Sequence, residues 1–71
     1  MNKSEWRKVA LHGIQSYFEY KKKTSVANLE NYLNNPSAIG EHGDLVSECV
    51  KLVEDIEHAE SCLNLVSDLD Q

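Results

Sequence analysis

A histidine and a cysteine in this sequence have the residue types and the spacing that are closest to those of metal ligands. His58 and Cys62 are four residues apart, so on a helix both lie on one face and could reach the same zinc ion. Zinc requires further ligands, and the hairpin deduced below does not place His12 or His42 nearby. We therefore expect no metal site and no cofactor, with His58 facing solvent and Cys62 packed at the flank of the helix.

Catalysis by a nucleophile needs that group beside a base and an oxyanion donor in a concave site, and the sequence contains no such constellation. The three glycines, Gly13, Gly40 and Gly43, are isolated. The chain therefore lacks the glycine-rich loop with which nucleotide-binding proteins hold phosphates. We expect no catalytic residues, and hence a protein that is not an enzyme.

Cations and aromatic rings alternate in the first third of the chain, a mixture that suits single-stranded nucleic acid. Cations follow the phosphates while rings stack on unpaired bases, and such binding weakens steeply with salt. The candidate nucleic-acid-binding residues are Lys3, Arg7, Lys8, Tyr17, Tyr20, Lys21, Lys22 and Lys23. The alternative is that these cations pair with carboxylates of the same chain, and the sequence leaves both interpretations open.

Charge is divided unevenly along the chain. Residues 1–23 contain six of the seven Lys and Arg residues against Glu5 and Glu19, whereas the remainder has Lys51 against ten carboxylates. The first segment therefore carries +4 and the rest −9. Either the two parts neutralise each other in the fold, or one of them presents a basic face to an anion.

The first predicted helix begins at Asn2 or Ser4, where a polar side chain can accept the free N–H groups of the first turn. It ends before Pro36, because proline disfavours helix at the preceding residue. One of its faces, interrupted by Lys22 and Ser25, carries Leu11, Ile14, Phe18, Leu29 and Tyr32. We expect this face to meet a second helix.

The second predicted helix begins near Gly43 or Asp44, with His42 or Asp44 as its cap, and runs almost to the C-terminus. Its apolar residues alternate at spacings of four and three, as in the seam of a coiled coil. These seam positions are Leu45, Cys49, Leu52, Ile56, Ala59, Leu63 and Val66. Cys49 and Cys62 lie ~20 Å apart along this helix, so they are expected to remain free thiols.

The chain is therefore predicted to be a single all-α domain, residues 1–71: an antiparallel two-helix hairpin of helix-loop-helix, coiled-coil-like form, in which the first helix could be kinked or broken. Antiparallel pairing brings Leu29 near Cys49, Lys22 near Ile56, Phe18 near Glu60 and Ile14 near Leu63. It also makes the lysines at 21–23 face Glu54, Glu57 and Glu60. In the connector, Ile39 is expected to cap the core.

A second stripe on the first helix is not used by the hairpin. It consists of Trp6, Ala10, Gly13, Tyr17 and Tyr20. In one interpretation the helix kinks at Gly13, so that the rings join the core or a second copy. In the other, the small residues admit a partner helix that the rings anchor, and the partner-binding residues are Trp6, Ala10, Gly13 and Tyr17.

Size and hydropathy give two further expectations. A 71-residue chain buries a small core, so we expect a third packed element, a partner or self-association, with a monomer or weak homodimer as the state in solution.

The sequence contains neither an apolar run of 18 residues nor the apolar segment of a signal peptide. It therefore predicts a cytoplasmic protein without membrane contact.

The connector Asn-Pro-Ser-Ala-Ile-Gly-Glu-His at residues 35–42, followed by Asp44 and an acidic heptad helix, resembles a small family of T-even-type phage proteins. These are the UvsW-associated proteins, encoded directly after the UvsW recombination helicase. The family's loop motif is N-P-x-x-I-G-E-H between two helices. Ser37, Ala38 and Gly43 stand where hydrophobic or proline residues are expected in relatives, which affects the loop conformation.

The resemblance implies a role in phage DNA recombination, repair and replication in the host cytoplasm, beside a UvsW-like helicase or another recombination protein, and it supplies no catalytic residues. The first functional hypothesis is thus a non-enzymatic, helicase-associated accessory module that binds single-stranded DNA weakly. The second is a protein–protein interaction or inhibitory module that makes no contact with nucleic acid.

Overall fold

The computed structural model describes residues 1–35 and 44–71. Two helices make up nearly all of the described chain: α1 spans Lys3–Asn34 and α2 spans Leu45–Leu69. They pack along each other in a rod with extents of 54 × 18 × 17 Å. The predicted all-α helical hairpin is confirmed. The expectations for Ile39, and for His42 or Gly43 at the start of α2, lie outside the described residues.

Both helices begin where a polar side chain replaces the missing backbone partners. The Asn2 side-chain oxygen accepts a hydrogen bond from the Glu5 backbone N–H at 2.8 Å, and the Asn2 amide donates to the Glu5 carboxylate at 2.9 Å. Of the two predicted starts of α1, Asn2 is therefore the cap. At α2 the cap is Asp44, whose carboxylate accepts from the Ser47 backbone N–H at 3.1 Å.

The apolar seam predicted for α2 packs against α1 along its whole length. All seven of its positions are buried or half-buried, and Ala59 at the centre is only 1% exposed. On α1 the facing residues are Leu11 and Ser25, which are buried, and Phe18, Lys22, Leu29 and Tyr32, which are half-buried. Both cysteines are free and half-buried, as expected.

Ile14 is a correction to the predicted seam, because its side chain remains 43% exposed. From Leu11 to Tyr32, the positions of α1 that face α2 alternate at spacings of four and three. The seam position that follows Leu11 is therefore position 15, not position 14. Position 15 is Gln15, which is itself exposed. Ile14 therefore lies on a flank of the seam, and the hairpin leaves its apolar surface partly uncovered.

Three contacts fix the antiparallel register. Lys22 forms an ion pair with Glu60 at 3.5 Å, which is one of the contacts predicted between the lysines at 21–23 and the carboxylates of α2. The Phe18 ring, expected beside Glu60, has its centroid 6.2 Å from that of His58. Near the chain ends the Arg7 guanidinium donates to the Leu69 carbonyl oxygen. Because the last turn of α2 contains no basic residue, Arg7 supplies the cation that this helix end favours.

α1 is one continuous helix through Gly13, so the interpretation in which a kink at Gly13 carries the rings into the core is wrong. Trp6 and Tyr20 remain 61% and 63% exposed, and Tyr17 is exposed as well. A Cβ added at Gly13 would meet no atom within 4 Å. Folding of one chain alone therefore leaves the second stripe of α1 uncovered.

Candidate nucleic-acid and partner interface

The hairpin has two sides, which we name after a residue on each. On the Lys22 side, the Lys22–Glu60 ion pair crosses from α1 to α2. On the Tyr17 side, the Tyr17 ring packs edge-on against Phe18 at 5.0 Å between centroids, and Phe18 in turn contacts His58. His58 and Glu60 are two residues apart and so about 200° apart around α2. The two contacts therefore lie on opposite sides of the seam.

The structure divides the predicted nucleic-acid-binding residues between these two sides. Helical spacing places Lys3, Arg7 and Lys21 on the Tyr17 side, since each is three, four or seven residues from Ala10, Ile14 or Tyr17. Tyr20 lies next to this group, on the outer surface of α1. The remaining three, Lys8, Lys22 and Lys23, lie on the Lys22 side.

The cations of the Lys22 side lie among acidic or α2 residues. Lys22 and Lys23 share a shallow depression with Glu19, Val26 and Leu63. Lys8 shares another with Gln15 of α1 and with Asp70, which follows α2. Phosphate at these positions would meet nearby carboxylates, so this side is the poorer candidate for a nucleic-acid surface.

The ion pairs decide how far the two helices neutralise each other. Between residues 1–35 and 44–71 there are two, Lys22–Glu60 at 3.5 Å and Lys51–Glu48 at 3.5 Å. Of the six cations on α1, Lys22 alone has a carboxylate partner in this part of the chain. Intramolecular pairing therefore accounts for only a small part of the basic charge on α1.

The predicted partner-binding residues lie together on α1. Trp6, Gly13 and Tyr20 are seven residues apart and share one line along the helix, and Ala10 and Tyr17 form the adjacent line. Beside Trp6 and Ala10 is a shallow, largely apolar depression whose lining also includes Lys3, Ser4, Arg7 and Leu11. This surface combines exposed rings with open backbone at Gly13.

His58 and Cys62 lie close together on α2. The Cys62 sulfur lies 3.7 Å from Nε2 of His58, with His58 exposed and Cys62 half-buried. Within the described ranges, no group of three or more His, Cys, Asp or Glu side chains is placed to hold a metal ion. The two side chains offer half of a tetrahedral zinc site at most.

Sequence reasoning missed an exposed aliphatic surface on the Lys22 side, which we call the valine face. Its members are Val26 and Leu33 of α1 and Val46, Val50 and Val53 of α2. Val46 and Val53 are seven residues apart, and Glu60 follows after another seven, so both valines lie on the side of α2 marked by the ion pair. The signal was present in the sequence, because the three valines of α2 repeat the seam spacing beside the seam itself.

In the parts of the chain that the structure describes, neither helix combines the length and the apolar character needed to cross a lipid bilayer. Comparison of the sequence and the structure with models of protein families, with curated proteins and with solved structures finds no match.

Proposed function

We propose that this protein is a non-enzymatic accessory module of phage DNA recombination, repair and replication. It acts in the host cytoplasm beside a UvsW-like helicase and contacts single-stranded DNA weakly through the Tyr17 side of α1. The phage context and the helicase come from the resemblance of the 35–42 connector. The contact with DNA is argued from the surface itself.

The observation that supports DNA binding is the coincidence of unpaired cations and exposed rings on one side of α1. Lys3 and Lys21 form no ion pair with any described residue, and Tyr17 and Tyr20 expose more than half of their surface. Base stacking on one such ring contributes about 1–3 kcal/mol, and cations attract the phosphates between bases. Arg7 already donates to the Leu69 carbonyl, so we assign the main ionic contacts to Lys3 and Lys21.

A titration with short oligo-dT at low salt tests this assignment. We expect chemical-shift changes at Tyr17, Tyr20 and Lys21, and a Kd that rises steeply with salt because each phosphate contact releases counterions. Lys21→Gln should weaken binding and reduce the salt slope. The matched control is Lys23→Gln, which removes the same charge from the Lys22 side of α1 and should change the Kd much less. Absence of shifts at low salt would contradict the DNA contact.

The second candidate function is a protein–protein interaction module without nucleic-acid contact, and the open space at Gly13 favours it. A helix could approach α1 closely there, with Trp6 and Tyr17 as flanking anchors. Co-purification with the helicase tests this interface. Trp6→Ala should reduce recovery, whereas Val46→Ala, on the other side of the hairpin and equally accessible, should not. Unchanged recovery for Trp6→Ala would argue against a partner on this stripe.

A further inference from the structure

Trp6 and Tyr17 project from the same line along α1. They are eleven residues apart, close to three full turns, so their directions around the helix differ by only about 20° and their positions along it by ~16.5 Å. Ala10 and Gly13 lie between them on the same side, and the space above Gly13 is open. The two exposed rings therefore bound a shallow surface of small residues, and we call these four residues the ring trough.

A cation lies just beyond each ring of the trough. Lys3 precedes Trp6 by three residues, within one turn of the helix. Lys21 follows Tyr17 by four residues, so it also lies within about one turn of its ring. The two lysines are ~27 Å apart along α1, and neither forms an ion pair with a side chain that the structure describes. Each end of the trough thus combines a ring with an unpaired cation.

The carboxylates of α1 lie away from the ring trough. Helical spacing places each of them about 120–160° around the helix from Tyr17. They are Glu5, Glu19 and Glu30. The positive charge at the two ends of the trough is therefore not offset by carboxylates on the same side of this helix.

On α2, the residues level with the trough on the His58 side are uncharged. The register and helical spacing identify them as Cys62, Leu65 and Leu69. Asp55 shares this side, but it precedes His58 by three residues and so lies beyond Tyr17, toward the connector. Asp68 is two residues from buried Val66 and therefore lies on the far surface of α2. The two helices thus place no carboxylate side chain between the two rings on this side.

We propose that Trp6 is a second base-stacking residue and that a single strand of DNA lies along the ring trough, with one base on Trp6 and another on Tyr17. This arrangement rests on the proposed DNA contact and extends it to the N-terminal end of α1. A strand whose phosphates are ~3.4 Å apart needs about five nucleotides to join the rings and about eight to reach both lysines. An extended strand needs fewer.

A strand that reaches both rings should bind more tightly than one that reaches a single ring, because its second contact is intramolecular. Trp6 is the one tryptophan of the chain, so its fluorescence reports stacking at this position without any substitution. At low salt we expect saturable quenching by oligo-dT of eight nucleotides. Its Kd should be at least about five-fold lower than that of oligo-dT of three nucleotides, since one more stacked base contributes a factor of this size or more.

Trp6→Leu separates the second ring from the length of the strand, because it keeps an apolar side chain and removes the ring. Fluorescence anisotropy of labelled oligo-dT should show a Kd for eight nucleotides that is about five-fold higher or more. The Kd for three nucleotides should change by no more than about two-fold, since Tyr17 remains available. Circular dichroism should stay helical, because Trp6 is exposed.

Gly13→Leu tests the floor of the trough. The larger side chain should hold the strand away from α1 and prevent it from reaching both rings, so the Kd for eight nucleotides should again rise by about five-fold or more. Ser16→Leu is the matched control. It adds the same side chain at another exposed position of α1, about 100° around the helix from Tyr17, and should leave the preference for the longer strand intact.

Two outcomes would overturn the bridged strand and leave the proposed DNA contact standing. One is an equal preference for eight over three nucleotides in Trp6→Leu and in the natural chain. The other is unchanged Trp6 fluorescence together with chemical-shift changes at Tyr17 and Lys21, which would leave Trp6 to a protein partner. Absence of both quenching and shifts with either length at low salt would contradict the proposed function itself, and the bridged strand with it.

Discussion

Asp44 holds the first turn of α2 through both of its carboxylate oxygens. One accepts from the Ser47 backbone N–H at 3.1 Å and the other from the Ser47 hydroxyl at 3.0 Å. These bonds, the backbone one first, hold the pKa of Asp44 below its ordinary value. Since the folded pKa is depressed, the stabilising contribution is present above the unfolded pKa, about 4, and is lost as pH falls through the folded pKa.

We therefore expect Asp44→Ala to lower the thermal unfolding midpoint at neutral pH, because the first N–H groups of α2 lose their acceptor. The difference from the natural chain should shrink as pH falls below about 4, where Asp44 becomes protonated. Asp44→Asn is the control, since an amide oxygen can still cap but does not titrate. Circular dichroism melts at several pH values measure all three chains. A difference independent of pH would contradict the role of the carboxylate.

Gly13 gives a prediction of the opposite sign. It lies in the interior of α1, where glycine is less favourable than alanine, and an added Cβ meets nothing within 4 Å. Gly13→Ala should therefore raise the free energy of unfolding by roughly 0.5–1 kcal/mol in urea denaturation. Ser16→Ala, at another exposed position of α1, should give a smaller gain. A loss of stability in Gly13→Ala would mean that α1 bends or packs closely at this point.

At the scale of the helices, residues buried in the seam contribute most of the free energy that stabilises the hairpin, and exposed residues on the flanks contribute little. Leu11 is buried on α1 against the C-terminal half of α2, whereas Leu65 is 59% exposed on α2. We expect Leu11→Ala to lower the free energy of unfolding by about 2–3 kcal/mol, through lost transfer free energy and the space left behind. A chain of this size has only ~3–5 kcal/mol from its core. The variant should therefore unfold partly at room temperature.

The matched change Leu65→Ala removes the same atoms from an exposed position and should alter the free energy of unfolding by less than about 0.5 kcal/mol. Circular dichroism during urea denaturation, at a concentration low enough to avoid association, compares the two variants. Equal losses would show that Leu65 is covered, as it would be if another chain or segment packed on the Tyr17 side.

The sequence predicted the helices well because their boundaries depend on local chemistry. The side-chain oxygens of Asn2 and Asp44 accept hydrogen bonds from free backbone N–H groups at the two helix starts. Pro36 disfavours helical conformation at the residue before it, and so predicts the end of the first helix. Face assignment on α1 was less accurate, since polar Lys22 and Ser25 interrupt its apolar pattern. With those positions undecided, Ile14 was placed in the seam, one residue from the position that the spacing of four and three selects.

The candidate site was only partly accessible from the sequence. Composition identified the cations and rings of α1, but it could not separate the cations of the Tyr17 side from those of the Lys22 side. That division depends on where α2 lies around α1, which becomes visible only through contacts such as Lys22–Glu60. The valine face was missed for a related reason. From sequence alone, the three valines next to the seam of α2 cannot be distinguished from buried seam residues, and only their exposure in the structure separates the two.

Considered as a whole, the molecule pairs a basic helix with an acidic one, and its fold leaves that polarity largely unneutralised. Lys22–Glu60 is the ion pair that joins the two helices between the described residues. Both side chains are about half exposed, so the pair contributes little to stability. Its effect on anion binding is local, because Glu60 places a negative charge beside Lys22, on the side of the hairpin opposite to Lys3 and Lys21.

Glu60→Gln should therefore leave the Kd for oligo-dT and the unfolding midpoint nearly unchanged, because the proposed contacts lie on the Tyr17 side of α1. If phosphates instead approached Lys22, loss of a unit charge ~4 Å away would be worth on the order of 1 kcal/mol in water, which corresponds to a roughly two- to five-fold lower Kd near 0.1 M salt. Glu48→Gln removes the same charge ~18 Å further along α2, beyond a Debye length of about 10 Å, and is the control. Fluorescence anisotropy of labelled oligo-dT compares the variants. A lower Kd in Glu60→Gln alone would place the DNA on the Lys22 side and contradict the proposed surface, and equal decreases in both variants would show that DNA responds to net charge alone.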